Sequence, residues 1–217
     1  MIEARRIPWR ETADLVGELR SVGRFDPAGS GAFRCSVPDH EPVFSLRPAA
    51  CLPRPVDGES IDTWLARCPG EPGAEWVILL QAGAAAVGSW LDGRLVDSKV
   101  FKRYVTRGNG RAQPTHLRVK GKSRYGSRLR LQQAEALLRD LCDRIDSWRE
   151  QDGPADTIHW SCTPRLWDDL LAHDDPPPPF GRHDPRLRKI RLDVHVPGER
   201  ELLRVRRTLE TTVLTPV

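Results

Sequence analysis

Residues 76–106 read WVILLQAGAAAVGSWLDGRLVDSKVFKRYVT, and this stretch decides the fold. Trp76 to Leu80 is an unbroken apolar run of the length expected for a buried strand. A second strand-like run, Ala84 to Leu91, is followed by Asp92-Gly93, a pair typical of a tight β-hairpin turn. The residues from Leu95 to Thr106 then predict a third strand, which leads directly into a long polar segment.

A long helix and two strand–helix pairs follow this hairpin. We predict the helix from about Ser127 to Gln151, because apolar residues recur there in steps of three and four: Leu131, Ala134, Leu138, Leu141, Ile145 and Trp148. The pattern then predicts a strand at Thr157–Cys162 and a helix at Pro164–Ala172. A strand with alternating faces at Ile190–Val196 and a final helix from Gly198 to about Val213 follow. We therefore expect an α/β (α+β) fold, in which a mixed β-sheet is flanked by helices.

The N-terminal third has weaker signals. Trp9 to Val22 predicts a short amphipathic helix. The residues from Asp26 to Pro72 are rich in proline and glycine, with one strand-like patch at Val43–Leu46 and a short helical piece at Ile61–Cys68. We therefore predict two parts: residues 1–72, a helix plus an irregular region packed on the core, and residues 73–217, the domain that carries the function.

Composition excludes several classes of protein. The hydrophobic fraction is 39% and the longest apolar run is far too short to cross a bilayer, so no membrane partner is expected. The N-terminus offers no apolar secretion segment, which predicts a cytoplasmic protein. The five cysteines show no metal-binding spacing and are expected to be reduced packing residues. No phosphate-binding or dinucleotide motif is present, so we expect neither a metal nor a cofactor.

Charge is distributed very unevenly along the chain. Between Lys99 and Arg130 there are eleven Lys or Arg residues and no Asp or Glu, whereas the rest of the chain has 23 basic and 30 acidic residues. Four of the five lysines fall inside this window, so an arginine-rich composition alone does not explain the cluster. A cationic segment of this kind predicts contact with nucleic-acid phosphates.

Within this cationic segment, the loop from Arg107 to Gly126 leads to one neutral amide. Gly108 and Gly110 permit backbone torsions that other residues resist, and Pro114 biases Gln113 toward an extended conformation. The amide of a glutamine has both donors and an acceptor and can orient a water molecule. A loop of this length is either functional or disordered, and the residues alone leave both readings open.

Several stretches resemble the Vms-type release-factor-like (VLRF) domain. They are Phe101–Arg107, Gly110–Gln113, Ser123–Arg130 with Gln133–Leu137, Asp184–Ile190 and the helix with Glu201–Leu203. The resemblance spans about Glu75 to the C-terminus, and it implies a fold similar to the middle domain of eukaryotic and archaeal class I release factors. In those proteins a Gly-Gly-Gln loop enters the peptidyl-transferase centre. With its compact length and arginine bias, this chain most resembles the bacterial, actinobacterial peptidyl-tRNA hydrolase branch of the family.

The resemblance implies both an activity and a set of site residues. The family's loop reads Gly-Gly-x-Gln, and its glutamine acts in release of nascent chains from tRNA on stalled large ribosomal subunits. The matching positions here are Gly110, Arg111, Ala112 and Gln113, so an arginine replaces the second glycine. Gln113 would be catalytic, and the residues that support its loop would be Gly108, Gly110, Arg111, Ala112, Pro114 and His116.

The cations would contact RNA, and the expected partners are the large ribosomal subunit and peptidyl-tRNA, bound by a monomer without a cofactor. The predicted RNA-binding residues are Lys99, Lys102, Arg103, Arg107, Arg118, Lys120, Lys122, Arg124 and Arg128. Two alternatives remain open at this stage. One is an endonuclease that cuts the acceptor end of tRNA, with His116 as acid or base. The other is a ribosome- or tRNA-binding factor without catalysis.

Overall fold

The computed structural model describes residues 4–38, 40–103 and 122–217, with the backbone alone at residues 40–42 and 122–127. Its strands and helices, in chain order, are β1 Arg5–Pro8, α1 Thr12–Arg20, β2 Arg24–Gly29, β3 Ala32–Val37, β4 His40–Arg47, α2 Ile61–Arg67, β5 Ala74–Gln81, β6 Ala84–Leu91, β7 Arg94–Lys102, α3 Lys122–Asp152, β8 Thr157–Ser161, α4 Pro164–Leu171, β9 Leu187–Lys189, α5 Glu199–Leu209 and β10 Thr211–Pro216. A 3-10 turn, Trp9–Glu11, precedes α1.

Contacts divide the chain into two units. The first comprises Met1–Pro72 and Arg204–Val217, and the second comprises Gly73–Leu203. The last residues of the chain therefore have their contacts with the N-terminal unit. The functional division into residues 1–72 and 73–217 stays a prediction. Among the described residues, no helix is both long enough and apolar enough to span a bilayer.

The second unit is built on a mixed five-stranded sheet in the order β7-β6-β5-β8-β9. The hairpin strands β5, β6 and β7 pair antiparallel, whereas β5, β8 and β9 run parallel. Trp76, Ile78 and Leu80 pack on one face of this sheet against side chains of α3 and α4. Leu202 of α5 lies on the opposite face, where a Cβ at Gly88 would be 3.1 Å from its Cδ2 atom. The predicted mixed α+β architecture with flanking helices is confirmed.

The first unit has an antiparallel sheet of its own, in the order β1-β10-β4-β3-β2. Its core contains Phe33, Leu46, Trp64 and Leu214, among others. The indole of Trp64 donates from Nε1 to the carbonyl of Pro53 at 2.7 Å. The predicted strand-like patch at Val43–Leu46 is confirmed within β4, whereas the prediction that residues 26–72 are irregular is wrong for β2 and β3. Their glycines with positive φ, Gly29 and Gly31, lie at the turn between two strands rather than inside a loop region.

Two predictions near the C-terminus are also wrong. Residues 190–196 form no strand, because the carbonyls of Val194 and His195 accept from the Gln81 side chain instead of from a neighbouring strand. The final helix ends at Leu209 rather than near Val213. The β-branched residues that follow it favour extended backbone, and they form β10 between β1 and β4.

The predicted start and buried face of α3 need correction too. The helix begins at Lys122, five residues before the predicted Ser127. Leu131 is 70% exposed, so the apolar face does not begin there; among the described side chains of α3, the core begins at Leu137. The predicted periodicity is nevertheless confirmed over the C-terminal half of the helix, where Leu138, Leu141 and Ile145 are buried.

Thr212 connects three parts of the first unit through one buried hydroxyl. Its Oγ1 lies 2.6 Å from Oγ1 of Thr12 and accepts from the backbone N–H of Ala49 at 3.0 Å. We predict that Thr212→Val lowers the free energy of unfolding by about 1–3 kcal/mol, because a buried N–H then loses its acceptor. Urea unfolding followed by circular dichroism measures this.

Thr215→Val is the matched control, since Thr215 lies in the same strand but is exposed. We expect it to change the free energy of unfolding by less than about 0.5 kcal/mol. Equal stability of the two variants would show that the Thr212 hydroxyl does not stabilise the first unit.

Candidate nucleic-acid interface

The last residues of β7 lead into the cationic segment. Lys99 and Lys102 are exposed on this strand. The guanidinium of Arg103, immediately after β7, forms an ion pair with Asp140 of α3. The backbone N–H of Arg103 also donates to the carbonyl of Gly83 at 2.8 Å. Arg103 is therefore anchored to the sheet and to α3, and its charge is partly balanced by a carboxylate.

A second set of contacts holds β7 against α3. The Trp148 indole donates from Nε1 to Oδ2 of Asp97 at 2.8 Å, and Nη1 of Arg144 lies 3.3 Å from the same oxygen. Phe101 packs against the hydrophobic core between these polar contacts and the Arg103–Asp140 pair. The Trp148–Asp97, Arg144–Asp97 and Arg103–Asp140 contacts all join β7, or the residue after it, to α3. The two elements that flank residues 104–121 are therefore held together.

The first part of α3 extends beyond the core. No described side chain of α3 before Leu137 is buried, and residues 122–136 correspond to about 22 Å of helix at 1.5 Å per residue. Arg128 and Leu129 are exposed in this part. We call residues 122–136 of α3 the arm; they carry the C-terminal end of the cationic segment, and their described side chains lie outside the buried core.

The positive charges of this arm destabilise the N-terminal part of α3. Lys122 and Arg124 fall in the first turn, which has no acidic residue, and cations at a helix N-terminus interact unfavourably with the helix dipole. Arg128 follows Arg124 at i,i+4 spacing, which places like charges together, and Gly126 costs about 1 kcal/mol relative to alanine inside a helix. Binding of an anion to the arm would offset these unfavourable terms.

The predicted site residues fall into three groups. Lys99, Lys102, Arg103 and Arg128 are described, and all four are exposed. Lys122 and Arg124 are placed by their backbone at the start of α3. The other predicted residues lie outside the described residues, and their roles stay predictions: Arg107, Gly108, Gly110, Arg111, Ala112, Gln113, Pro114, His116, Arg118 and Lys120.

Sequence reasoning missed the contacts that hold the interface in place. Asp97, Asp140 and Trp148 connect β7 to α3, and Gln81 holds the chain after β9 by donating to Val194 and His195 at 2.8 Å and 3.1 Å. Trp148 carried a signal, because its position in the helical repeat predicted a buried residue. The two aspartates carried none, since nothing local marks them as partners of residues distant in sequence.

The cysteines contribute no nucleophile to this interface. Burial raises the pKa of Cys142 and of Cys162 to about 12, and it raises the pKa of Cys68 to about 11. All five cysteines are free thiols, as the sequence predicted. Within the described ranges, no cluster of His, Cys, Asp or Glu side chains is arranged to hold a metal ion.

We predict that Cys142 and Cys162 resist alkylation by iodoacetamide at pH 8 in the folded protein. A thiol with a pKa of about 12 has roughly one thiolate in 10⁴ molecules at that pH, and only the thiolate reacts. Mass spectrometry of the peptides, with protein in denaturing urea as the control, measures this. Alkylation of Cys162 at the same rate in both samples would contradict the prediction.

Comparison with known proteins agrees with the sequence resemblance. A family model described as "Bacteroidetes VLRF1 release factor" matches residues 76–216. Among solved structures, one described as "Vms1 mitochondrial localization core" is similar to this chain with a TM-score of 0.54 and 12% identity, over 92% of this chain and 80% of that chain. At this identity the similarity shows the fold alone. No curated protein matches.

Proposed function

We propose that this chain, which belongs to the VLRF1 release factor family, releases nascent peptides from tRNA on stalled large ribosomal subunits. The actinobacterial branch, the monomeric state and the cytoplasmic location stay predictions. The observation that carries the proposal is the acid-free cationic segment between β7 and α3, with Gln113 inside it and its whole length inside the matched range.

The reaction would be hydrolysis of the ester that joins the peptide to the terminal adenosine of tRNA. Water adds to the ester carbonyl carbon, the bond from that carbon to the ribose oxygen breaks, and the ribose oxygen takes up a proton. The peptide leaves as a carboxylic acid and the tRNA keeps an intact 3′ end. Gln113 would orient the water, and orientation of this kind contributes much of the rate in reactions of bound groups.

The geometry of the interface supports this assignment. A catalytic amide must reach an ester that is enclosed by RNA, and a helix whose first turn contains Lys122 and Arg124 and no acidic residue is suited to approach RNA phosphates. The contacts of Asp97 and Arg103 with α3 hold both flanks of the segment in place. The arm would therefore be guided by phosphate attraction and held by packing at its base.

We predict that Gln113→Ala lowers the rate of peptide release by about 100-fold or more, because a group that positions or stabilises the reacting atoms is lost. The assay uses purified large subunits that carry a fluorescent nascent peptide on tRNA. Binding of the variant to the same subunits should stay within about twofold of the original protein, since an uncharged side chain contributes little to phosphate contact.

Gln151→Ala is the matched control, because Gln151 is an exposed glutamine at the far end of α3 whose side chain donates to Oγ of Ser147, one turn earlier in the same helix. Equal release by the Gln113 and Gln151 variants would refute the role of Gln113. A gel of the tRNA product separates the remaining alternatives. A shortened 3′ end would identify an endonuclease, and binding without any release would identify a factor that does not catalyse.

A further inference from the structure

A second group of cations lies at the other edge of the same sheet. Between Pro185 and Leu192 the chain has Arg186, Arg188, Lys189 and Arg191 and no acidic residue. This stretch contains β9, the edge strand of the second unit's sheet. Its basic residues lie outside the segment from Lys99 to Arg130, and the proposed release reaction does not use them.

One of the four cations has a structural role. Arg186 donates to both carboxylate oxygens of Asp184, at 2.6 Å from Nη2 to Oδ2 and 2.9 Å from Nε to Oδ1. It also donates to the carbonyls of Ala155 and Pro179. This pairing holds the pKa of Asp184 below its usual value. The charge of Arg186 is thus balanced within the protein.

The other three cations have no acidic partner among the described residues. Arg188 donates from Nη1 to the carbonyl of Leu187, in the same strand, and to that of Pro185, two residues before the strand. The Nζ atom of Lys189 lies 5.5 Å from the ring centroid of Trp160, and that ring stacks on Trp167 at 4.0 Å. We call Arg188, Lys189 and Arg191 the β9 patch.

Neutral partners orient these side chains without cancelling their charge. Carbonyl oxygens hold the guanidinium of Arg188, and a rigid aromatic stack holds the ammonium of Lys189. Arg191 is exposed beside them. Arg188 and Lys189 are consecutive residues of an edge strand, so their side chains leave opposite faces of the sheet, and a polyanion that lies along this strand can contact both of them and Arg191. The β9 patch is therefore prepared to bind a polyanion.

The position of the patch relative to β7 gives the interaction a geometry. β7 and β9 run in the same direction, since β7 is antiparallel to β6, β6 is antiparallel to β5, and β5, β8 and β9 are parallel. Their C-terminal ends therefore lie at the same end of the sheet, although the two strands form its opposite edges. Four steps between strands separate them, which corresponds to about 19 Å.

We propose that the β9 patch binds phosphates of the large-subunit RNA, as a second contact that sets the orientation of the protein on the subunit. This inference rests on the proposed function. One cationic contact lets a protein pivot, whereas two contacts about 19 Å apart on one rigid sheet fix its direction. Because the β9 patch and β7 lie on opposite edge strands of the sheet, the patch would contact RNA phosphates other than those bound by the cationic segment.

The test compares two triple variants of the full chain by sedimentation with vacant large subunits over a range of KCl concentrations. One variant carries Arg188→Ala, Lys189→Ala and Arg191→Ala. The control carries Arg34→Ala, Arg47→Ala and Arg94→Ala, which removes three exposed cations on β3, β4 and the first residue of β7. We expect the slope of log affinity against log salt to become less steep by about 2 for the patch variant only.

Three outcomes would overturn the proposal. The patch variant could keep the original slope, or it could change binding to free tRNA or to a poly-glutamate peptide but not to vacant subunits. The third concerns a charge-preserving variant, Arg188→Lys with Arg191→Lys, which should keep the original slope. If the slope becomes less steep for this variant too, the arginines act through structure and not through charge.

Failure of the proposed function is measured separately. If Gln113→Ala releases peptide normally, the assignment of Gln113 fails, while the salt slope of the patch variant still decides the role of β9. If the original protein does not bind large subunits at all, both proposals fail. Normal release with an unchanged slope for the patch variant would reject the β9 patch alone.

Discussion

The packing of the C-terminal half of α3 on the sheet is the constraint on which the interface depends. Leu137, Leu141 and Ile145 bury one face of the helix, and the Trp148–Asp97 hydrogen bond joins it to β7. Removal of this packing would separate the helix from the strand that precedes the cationic segment. None of the described side chains in the first part of α3, before Leu137, is fully buried, so the buried half does most to set the direction of this part.

Charge and structure are in conflict at the start of α3, and this conflict is informative. A helix that begins with lysine and arginine, contains an early glycine and has no acidic residue in its first turn violates several rules that favour helix formation. Local conflicts of this kind are expected at functional sites, where an interaction with a partner offsets them. The RNA phosphates of the proposed partner have the charge that such an interaction needs.

Local patterns predicted those elements whose partners are close in sequence. The strand Ala84–Leu91 was predicted with the same bounds that the structure has, because the hairpin contains its own pairing and its own turn. β10 was missed because it pairs with β1 and β4, which are far away along the chain. The alternation over residues 190–196 predicted a strand wrongly, since an alternating pattern does not show whether a neighbouring strand is available.

The candidate site was predictable to a similar degree. The clustering of lysine and arginine between residues 99 and 130 is visible in sequence, as is the glutamine that the family resemblance singles out. The contacts of Asp140 with Arg103 and of Asp97 with Trp148 are not visible there, because they depend on tertiary packing between β7 and α3. The sequence also did not predict that α3 begins as early as Lys122, because its first residues lack the apolar periodicity by which helices are recognised.

A rod that is supported at one end amplifies any rotation at its support. Over the arm's length of about 22 Å, a tilt of about 5° at Leu137 moves the first residue of the helix by about 2 Å. Misplacement by about 1 Å is enough to reduce the rate of an enzymatic reaction substantially. Substitutions around Leu137, where the supported part of the helix begins, should therefore displace the start of α3 before they destabilise the fold, even though these side chains do not contact the ribosome.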